Sequence, residues 1–412
     1  MAVLVVAYRA ADQLERCLES VEKYLPGHDV HVWDNSGPNH DDVRRLANRM
    51  PRFHWHLGSD NIGFAAAVNR LAATVPDCDL LLLNPDAVLI GPLTLTLAAI
   101  SGPGTAAAAP MTVESCDGAG ARFASREHRP WDVAHRRLTL LNAVGSPLGL
   151  AERLRGTHFS NLYRSQPTVV DGYLTGACLA IRRQAWDSLG PFDEEFFLYG
   201  EEADWQRRAI DAGWRIELAA EVAVRHAANG TVAADPAGLT RSKDLLRANV
   251  ALQLEYRSGI LTADVYLALV SLAEGIRSRL RRSRHRGGAQ SAVLITVDGG
   301  CGSAAVGERI RIASTLADSG HAVTVVSLRR LGGLPRALPP SVRLLRRPWW
   351  WPTTSPEETP RTLVIGKTKR ERAFATLFRL RPSRICLDEG AALDTLADTL
   401  PDRDLVEQVG ST

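Results

Sequence analysis

Short apolar runs alternate with segments of helical spacing over the first ninety residues of the chain. Apolar runs predict strands, and an i, i+3, i+4 spacing of apolar positions predicts helices. The predicted strands are 2–7, 29–33, 53–57 and 80–83, and the predicted helices are 11–24, 42–48 and 65–73. Strand, helix, strand, helix is the order of a parallel sheet with right-handed crossovers, so the pattern predicts an α/β fold.

The segment Leu80–Ala87 (LLLLNPDA) reads as a buried strand that stops abruptly. Four leucines in a row suit a strand covered on both faces, and Pro85 ends the ladder because it has no N–H. Asp86 is then left at the carboxyl end of the strand, where open α/β sheets bind ligands. A carboxylate there can hold a divalent cation, which in turn holds a diphosphate. A solvated aspartate in a turn explains this segment equally well.

Polar residues follow three of the predicted strands at that edge: Tyr8, Asp34 and Asp86. Carboxyl ends of parallel strands lie along one edge of a sheet, so the recurrence favours a nucleotide pocket more than any one residue does. Residues 91–165 predict one or two strands and long loops, which are either substrate loops or surface insertions. Gly172, Gly176 and Ala177 are small, so either a ligand or another strand can come close to the backbone there.

An acidic turn opens a predicted helix at residues 201–212. Glu201, Glu202 and Asp204 in a first turn favour the helix dipole, and Asp204 can pair with Arg208 one turn later. The apolar residues 196–199 immediately before this turn place it at a pocket wall rather than in bulk water. Both a structural and a functional interpretation of the acids therefore stay open.

A single histidine, His226, follows the strand-like segments 214–218 and 221–224. An isolated histidine is more often a polar surface or core residue than a ligand.

Composition narrows the class of protein. The chain has 412 residues, enough for two or three domains, with 45% apolar and 23% charged residues, as in ordinary soluble proteins. The net charge of +3 argues against a nucleic-acid binder. The cysteines are scattered without a Cys-x-x-Cys pair, so we expect no zinc or disulfide framework and a cytoplasmic protein. We expect no signal peptide, and the apolar run 260–276 is too short and too charged to span a bilayer.

Residues 236–288 predict a helical tail or linker that ends in an arginine cluster, Arg277–Arg286. Beside an amphipathic helix such a cluster can dock on anionic lipid at the inner face of a membrane. A solvated basic linker explains it equally well.

Residues 289–412 predict a second, smaller Rossmann-like α/β domain, with strands at 292–297, 322–328, 362–365 and 385–387. The glycine-rich loop 298–302 and the segment 320–326 (GHAVTVV) resemble the amino-terminal half of a GT-B glycosyltransferase. That resemblance implies an incomplete accessory domain without its own catalysis. The run Trp349–Trp351 is either an exposed patch or a buried plug.

The first 230 residues together resemble the inverting family-two glycosyltransferases of the GT-A fold, particularly the bacterial rhamnosyltransferase type. The segments that carry the resemblance are VVAY (5–8), DNS (34–36), NIGFA (61–65) with Asn69, LNPD (83–86), GA (176–177), GPFDE (190–194), FFLYGEEAD (196–204), AGW (212–214) and His226. The resemblance implies a nucleotide-sugar-binding mixed sheet flanked by helices.

The resemblance also implies roles for individual residues. The implied nucleotide and donor-binding residues are Tyr8, Asp34, Asn61, Gly63, Asn69, Asn84 and Asp86. The implied catalytic residues are Glu202, Glu201 and Asp204, with Glu202 as the base. The implied acceptor-binding residues are Gly176, Ala177 and Asp193, and the implied metal ligands are Asp86 and His226.

Two positions depart from the family pattern. Arg9 stands where the family often has asparagine, and the family's Glu-Asp pair is Glu201-Glu202 here. The second departure leaves the division of roles between the two glutamates open.

The implied activity is transfer of a sugar from a nucleoside-diphosphate donor to a hydroxyl of a glycan, lipid-linked or natural-product acceptor, with Mg²⁺ or Mn²⁺. dTDP-rhamnose is the first expectation for the donor, ahead of UDP- and GDP-sugars. The alternatives are a non-catalytic nucleotide-sugar-binding or scaffold protein and a nucleotidyltransferase. A nucleotidyltransferase normally has a glycine-rich loop after its first strand, and residues 7–11 (AYRAA) contain no glycine.

Overall fold

Most apolar runs along the first 226 residues form the strands of one large mixed sheet, and residues 134–136 and 172–174 pair in a separate two-stranded sheet. The structure, a computed structural model, describes residues 1–37, 41–114, 130–226, 236–281, 292–351, 362–377 and 384–387. The chain divides into two compact units, Met1–Ala234 (unit 1) and Asp235–Thr412 (unit 2). The arginine side chains of the cluster 277–286 lie outside the described residues.

The described elements of unit 1 alternate as the sequence predicts at its start. Its strands are β1 (Ala2–Ala7), β2 (Asp29–Asp34), β3 (His54–Leu57), β4 (Leu80–Leu83), β5 (Ala87–Leu89), β6 (Thr105–Glu114), β7 (Pro130–Trp131), β8 (Ala134–Arg136), β9 (Gly172–Leu174), β10 (Cys178–Ile181) and β11 (Arg215–His226). Its helices are α1 (Ala11–Tyr24), α2 (Asp42–Arg49), α3 (Phe64–Thr74), α4 (Thr94–Ser101), α5 (Leu140–Gly145), α6 (Arg183–Leu189) and α7 (Glu201–Asp211).

The large sheet has a parallel half and a mixed half. Its strand order is β3-β2-β1-β4-β10-β6-β11-β5, and β7 pairs with β6. Strands β3, β2, β1 and β4 are parallel, whereas β10 runs antiparallel to β4 and to β6. Together with the helices this is the GT-A architecture, and it brings the ends of β1, β2 and β4 to one edge.

Side chains of β1 and β4 point alternately into two cores, which explains their unbroken apolar sequences. Leu4 and Leu82 lie in one core with the alanines of α3, while Val5 and Leu81 lie in the other with the apolar face of α1. A strand buried on both faces needs apolar residues at every position.

The structure differs from the sequence-based expectation in residues 91–226. Helix α4 forms within residues 91–165, for which one or two strands and long loops were predicted; its TLTL segment has an alternation that is more typical of a strand. Apart from Trp214, the segments 214–218 and 221–224 belong to one strand, β11, with an irregularity in its pairing between Ala219 and Val222.

Unit 2 contains a parallel sheet of its own, with helices packed on it. Its described strands are β12 (Ala292–Val297), β13 (Ala322–Ser327), β14 (Arg343–Arg346), β15 (Thr362–Ile365) and β16 (Arg384–Leu387), in the order β14-β13-β12-β15-β16. Its helices are α8 (Pro236–Ser258), α9 (Ile260–Arg281), α10 (Ala304–Asp318), α11 (Leu334–Ala337) and α12 (Lys369–Leu377). The resemblance to half of a GT-B enzyme stays a prediction.

Helices α8 and α9 carry polar contacts to the rest of unit 2. Asp244 of α8 accepts a hydrogen bond from Arg343 at 2.8 Å, and Trp350 donates to Asp264 of α9 at 3.2 Å. Trp350 is half-buried, so it matches neither the exposed patch nor the buried plug considered for Trp349–Trp351. Within the described helices, none has the length and apolar content needed to cross a membrane.

Candidate active site

The end of β4 places Asn84 and Asp86 at the carboxyl edge of the large sheet. The backbone N–H of Asn84 donates to the carbonyl of Ala177 at 3.0 Å, and the N–H of Ala87 donates to the carbonyl of Asn84 at 3.0 Å. This tight turn, imposed by Pro85, redirects the chain into β5. Asp86 therefore lies at the point where the chain leaves one strand and enters the next.

Asp86 and His226 form a pair across two strands. β11 runs antiparallel to β5 with His226 opposite Ala87, so the histidine lies beside the neighbouring aspartate. His226 Nε2 lies 3.2 Å from Asp86 Oδ1, and the two side chains are 11% and 9% exposed. The sequence predicted both residues for one site, but only the strand pairing brings them together.

The pair offers a cation one carboxylate oxygen and one imidazole nitrogen. Mg²⁺ is commonly held by one or two carboxylates and completed by substrate phosphates, and Mn²⁺ likewise suits carboxylate and water oxygens. No group of three or more His, Cys, Asp or Glu residues suited to a metal occurs among the described residues. The donor set thus fits a metal whose remaining ligands come from a bound diphosphate and water.

The turn before α7 holds the two glutamates. Tyr199 has φ +73° and Gly200 has φ +97°, so two consecutive residues are left-handed just before the helix begins. The N–H of Gly200 donates to Glu202 Oε2 at 3.1 Å. Backbone strain of this kind at a non-glycine residue is found most often at functional sites.

Glu201 and Glu202 differ in their surroundings. Glu201 is only 4% exposed, and its Oε2 has no hydrogen-bond partner among the described residues. Burial raises the pKa of Glu201 well above its ordinary range, and the adjacent Glu202 charge raises it further. Burial also raises the pKa of Glu202, while backbone N–H groups, including those of Gly200 and Gly176, favour its ionised form. Glu202 is half-buried, and its carboxylate has a backbone hydrogen bond that Glu201 Oε2 lacks among the described residues.

Gly176 and Ala177 lie between the β4 turn and Glu202. A Cβ added to Gly176 would meet Glu202 Cγ at 3.8 Å, and the carbonyl of Ala177 accepts the Asn84 N–H. These contacts connect the turn that holds Asp86 to the helix that holds Glu202. Asn84, Gly176, Ala177 and Glu202 therefore belong to one contiguous group of residues.

Asp204 has a structural environment. Its two carboxylate oxygens accept from Arg207 at 2.9 Å and from Arg208 at 3.0 Å, and its side chain is 3% exposed. Both carboxylate oxygens are thus occupied by guanidinium groups of the same helix. The pairing of Asp204 with Arg208 follows the helical spacing read in the sequence.

The ends of β1 and β2 and the start of α3 are connected by a hydrogen-bonded loop network. Asp34 is 1% exposed, and its Oδ1 accepts the N–H of Ser36 at 3.0 Å. Asn35 donates to Asn61 Oδ1 at 2.9 Å, and the same oxygen accepts the N–H of Gly63 at 3.0 Å. Asp34 and Asn61 thus shape the loops at the edge where Tyr8 follows β1.

Gly63 is required where it stands. Its φ is +89°, and a Cβ there would lie 2.7 Å from the carbonyl oxygen of Phe197, which accepts the N–H of Phe64 at 2.7 Å. Any larger residue would push the segment before α7 away from the start of α3. Gly63 therefore helps to position the turn that presents Glu202.

Asn69 and Asp193 stabilise the loop that leads into α7. The Asn69 side chain donates to the carbonyl of Phe192 and accepts its N–H, both at 3.0 Å. Asp193 Oδ1 accepts the N–H of Glu195 at 2.9 Å. The structure therefore places these two predicted ligands in loop-supporting contacts.

Two further residues near the site were not among the predicted site residues, Gln206 and Arg9. Buried Gln206 exchanges hydrogen bonds of 2.8 Å with the N–H and carbonyl of Leu174 and so fixes α7 against β9. In the sequence it looks like an ordinary solvent-facing helix residue. Arg9 has φ +57°, and its departure from the family pattern is the one sequence signal that marks it.

Comparison with known proteins places this site in a family. The model of the glycosyltransferase like family 2 matches residues 1–242, more than half of the chain. The chain belongs to this family. It is a glycosyltransferase.

Curated relatives extend the similarity beyond the family domain. The chain is 27% identical over 306 residues to an N-acetylglucosaminyl-diphospho-decaprenol L-rhamnosyltransferase from two Mycobacterium tuberculosis strains, covering 69% of this chain and 96% of the relative. Among solved structures, S. aureus TarS 1-349 matches with 13% identity and a TM-score of 0.37, covering 69% of this chain and 73% of that one. The mannosyltransferase PcManGT from Pyrobaculum calidifontis, in complex with GDP-Man and Mn²⁺, matches with 14% identity and a TM-score of 0.39, covering 69% and 80%.

Proposed function

We propose that this glycosyltransferase is a metal-dependent, inverting enzyme that transfers a deoxyhexose from a nucleoside diphosphate to a hydroxyl of a lipid-linked saccharide. dTDP-rhamnose is the first candidate donor, ahead of UDP- and GDP-sugars. The relative that acts as an L-rhamnosyltransferase on a decaprenol-linked N-acetylglucosamine supports both the sugar and the acceptor class. The observation that carries the proposal is the Asp86–His226 pair connected through Asn84, Ala177 and Gly176 to Glu202.

Glu202 is the proposed general base. Its carboxylate takes the proton of the acceptor hydroxyl as the new glycosidic bond forms and the bond from the anomeric carbon to the diphosphate breaks. A single displacement of this kind inverts the anomeric centre. Positioned acid–base groups contribute about 10²–10⁴-fold to rates.

Asp86 and His226 would hold a Mg²⁺ or Mn²⁺ ion, which when bound neutralises charge on the departing diphosphate. Glu201, buried beside Glu202, has a different part. Because its pKa is raised, Glu201 stays protonated, so the two adjacent glutamates carry a single negative charge. Glu202 is then the group that ionises.

The first test is nucleotide binding, measured as a rise in melting temperature with dTDP, UDP, GDP and CMP, each with Mn²⁺ or with EDTA. A ligand at 100 times its Kd stabilises the folded state by about 2.7 kcal/mol. We expect one nucleoside diphosphate to raise the melting temperature only with the metal. Absence of any shift across the panel would contradict the proposal.

The second test is the stereochemistry of the product. The anomeric configuration of the transferred sugar, read by NMR, should be opposite to that of the donor. Retention of configuration would contradict the single displacement with Glu202 as base, while leaving glycosyl transfer itself in place.

A further inference from the structure

Arg9 lies two residues after the end of β1, at the same sheet edge as Asp34 and Asp86, in a strained backbone conformation. Its φ is +57° and that of Ala10 is +53°, so two consecutive non-glycine residues adopt the left-handed region. Consecutive left-handed L-residues are uncommon, and such conformations concentrate at ligand-binding sites.

The backbone of Arg9 is held in place independently of its side chain. Its N–H donates to Ser36 Oγ at 2.8 Å, and the N–H of Ser36 donates to Asp34 Oδ1 at 3.0 Å. The end of β1 is thus tied to the turn after β2. A substitution of the Arg9 side chain leaves these hydrogen bonds available.

The Arg9 side chain has donor capacity that the described residues do not use. Its Cζ lies 4.9 Å from the centre of the Tyr8 ring, a cation–π distance. Its Nε is buried and has no hydrogen-bond partner among the described residues. A buried N–H of a charged group without an acceptor is costly, so its presence points to an acceptor supplied by a ligand.

We infer that Arg9 binds the phosphate oxygens of the nucleoside diphosphate, an inference that rests on the proposed function. β1 lies between β2 and β4 in the sheet, so Arg9 lies between the Asp34 end and the Asp86 end of the edge. A diphosphate links the nucleoside to the sugar and would span the same interval. The planar fork of a guanidinium matches two phosphate oxygens, which the asparagine common in the family at this position cannot do.

Titration calorimetry with the nucleoside, the monophosphate and the diphosphate of the preferred base separates phosphate contacts from base contacts. We expect Arg9→Gln to weaken diphosphate binding about 10- to 100-fold, the range for hydrogen bonds to charged groups. Nucleoside affinity should change less than about twofold. Arg9→Lys, which keeps the charge but loses the fork, should fall between wild type and Arg9→Gln.

Arg16→Gln is the matched control, because Arg16 is an exposed arginine on α1 and its loss changes the net charge equally. It should bind the diphosphate like the wild type. Arg9→Lys serves as the second variant if Arg9→Gln lowers the melting temperature of the free protein.

Diphosphate binding by Arg9→Gln within about twofold of wild type would overturn the assignment. Equal weakening of nucleoside and diphosphate would also overturn it, because Arg9 would then act on the base or on Tyr8. Failure of the wild type to bind any nucleoside diphosphate would contradict the proposed function itself. Wild-type binding with an unaffected Arg9 variant would contradict the Arg9 assignment alone.

Discussion

The mixed sheet of unit 1 and the parallel sheet of unit 2 both begin with parallel strands, but the two units surround their carboxylates differently. Buried acids of unit 2 are matched with arginine: Glu371 with Arg309, and Asp244 with Arg343. In unit 1, Glu201 and Glu202 stand together beside a strained turn, with raised pKa values. A sheet with a glycine-rich loop is thus not enough to identify a catalytic site. Carboxylates that the fold leaves without a cationic partner are the more informative feature.

The largest expected effect tests the unit 1 side of this comparison. Glu202→Gln should lower kcat about 10²- to 10⁴-fold, because the amide cannot take the acceptor proton, while the Kd for the nucleoside diphosphate stays within about twofold. Turnover with donor and acceptor, and calorimetry with the nucleotide, measure the two quantities.

Asp211→Asn, at the other end of α7, is the control and should keep wild-type kcat. A Glu202→Gln enzyme that transfers sugar at the wild-type rate would show that another group is the base. The buried carboxylates of the two units would then not differ in function.

The unit 2 side is tested by breaking its buried ion pair. Glu371 is completely buried, and it also accepts hydrogen bonds from Thr296 at 3.1 Å and from Thr368 Oγ1 at 2.9 Å. Glu371→Ala leaves the Arg309 guanidinium buried without this carboxylate, so it should cost about 3–5 kcal/mol of unfolding free energy. Scanning calorimetry measures the change.

Glu308→Ala is the control. It removes a more exposed ion-pair partner of Arg311 on α10, the helix that also carries Arg309, and should cost less than about 1 kcal/mol of unfolding free energy. If both variants lost equally little stability, the buried pair would have no special structural weight. Nucleotide binding should survive in Glu371→Ala, because the proposed site lies in unit 1.

Removal of the proposed metal ligand gives the next effect. Asp86→Asn should lower kcat/KM about 10²- to 10³-fold, as for loss of an electrostatic stabiliser of the transition state. The Mn²⁺-dependent rise in melting temperature with nucleotide should shrink in parallel, and His226→Gln should act in the same direction. The pair would be excluded as the metal site if Asp86→Asn kept the wild-type difference between Mn²⁺ and EDTA in the nucleotide-induced rise in melting temperature.

The smallest expected effect is a pH dependence of stability. Because the pKa of Glu201 is raised by folding, the folded protein binds more protons than the unfolded chain at pH values between the ordinary glutamate pKa of 4.5 and the raised pKa. The free energy of unfolding therefore falls as pH rises through that window and is lowest above it. Glu201→Gln removes this loss and should stabilise the protein at pH 8 by about 1–3 kcal/mol, with little gain at pH 4.

Scanning calorimetry at pH 4 and pH 8 compares Glu201→Gln with Glu19→Gln, an exposed carboxylate on α1. Glu19→Gln should follow the wild type at both values. The same pH slope in wild type and Glu201→Gln would show that Glu201 is ionised without cost, unlike the proposed pair.

The sequence determined the elements whose patterns are local. β1 and β4 are continuous apolar runs because both faces of each strand are buried, and α7 begins at its acidic turn as predicted. The ordered motifs were also sufficient to indicate the glycosyltransferase family and the GT-A fold, which the family match confirms.

The tertiary structure decided what depends on distant partners. Helix α4 forms despite its TLTL alternation because Glu221, far along the chain, accepts the N–H groups of Leu95 and Thr96 at its start. The pairing of β5 with β11 brings Asp86 to His226. The turn before α7 gives Glu202 the N–H of Gly200, while Glu201 Oε2 has no hydrogen-bond partner among the described residues. Sequence spacing carries no information on these contacts, because strand pairing and desolvation depend on the assembled fold.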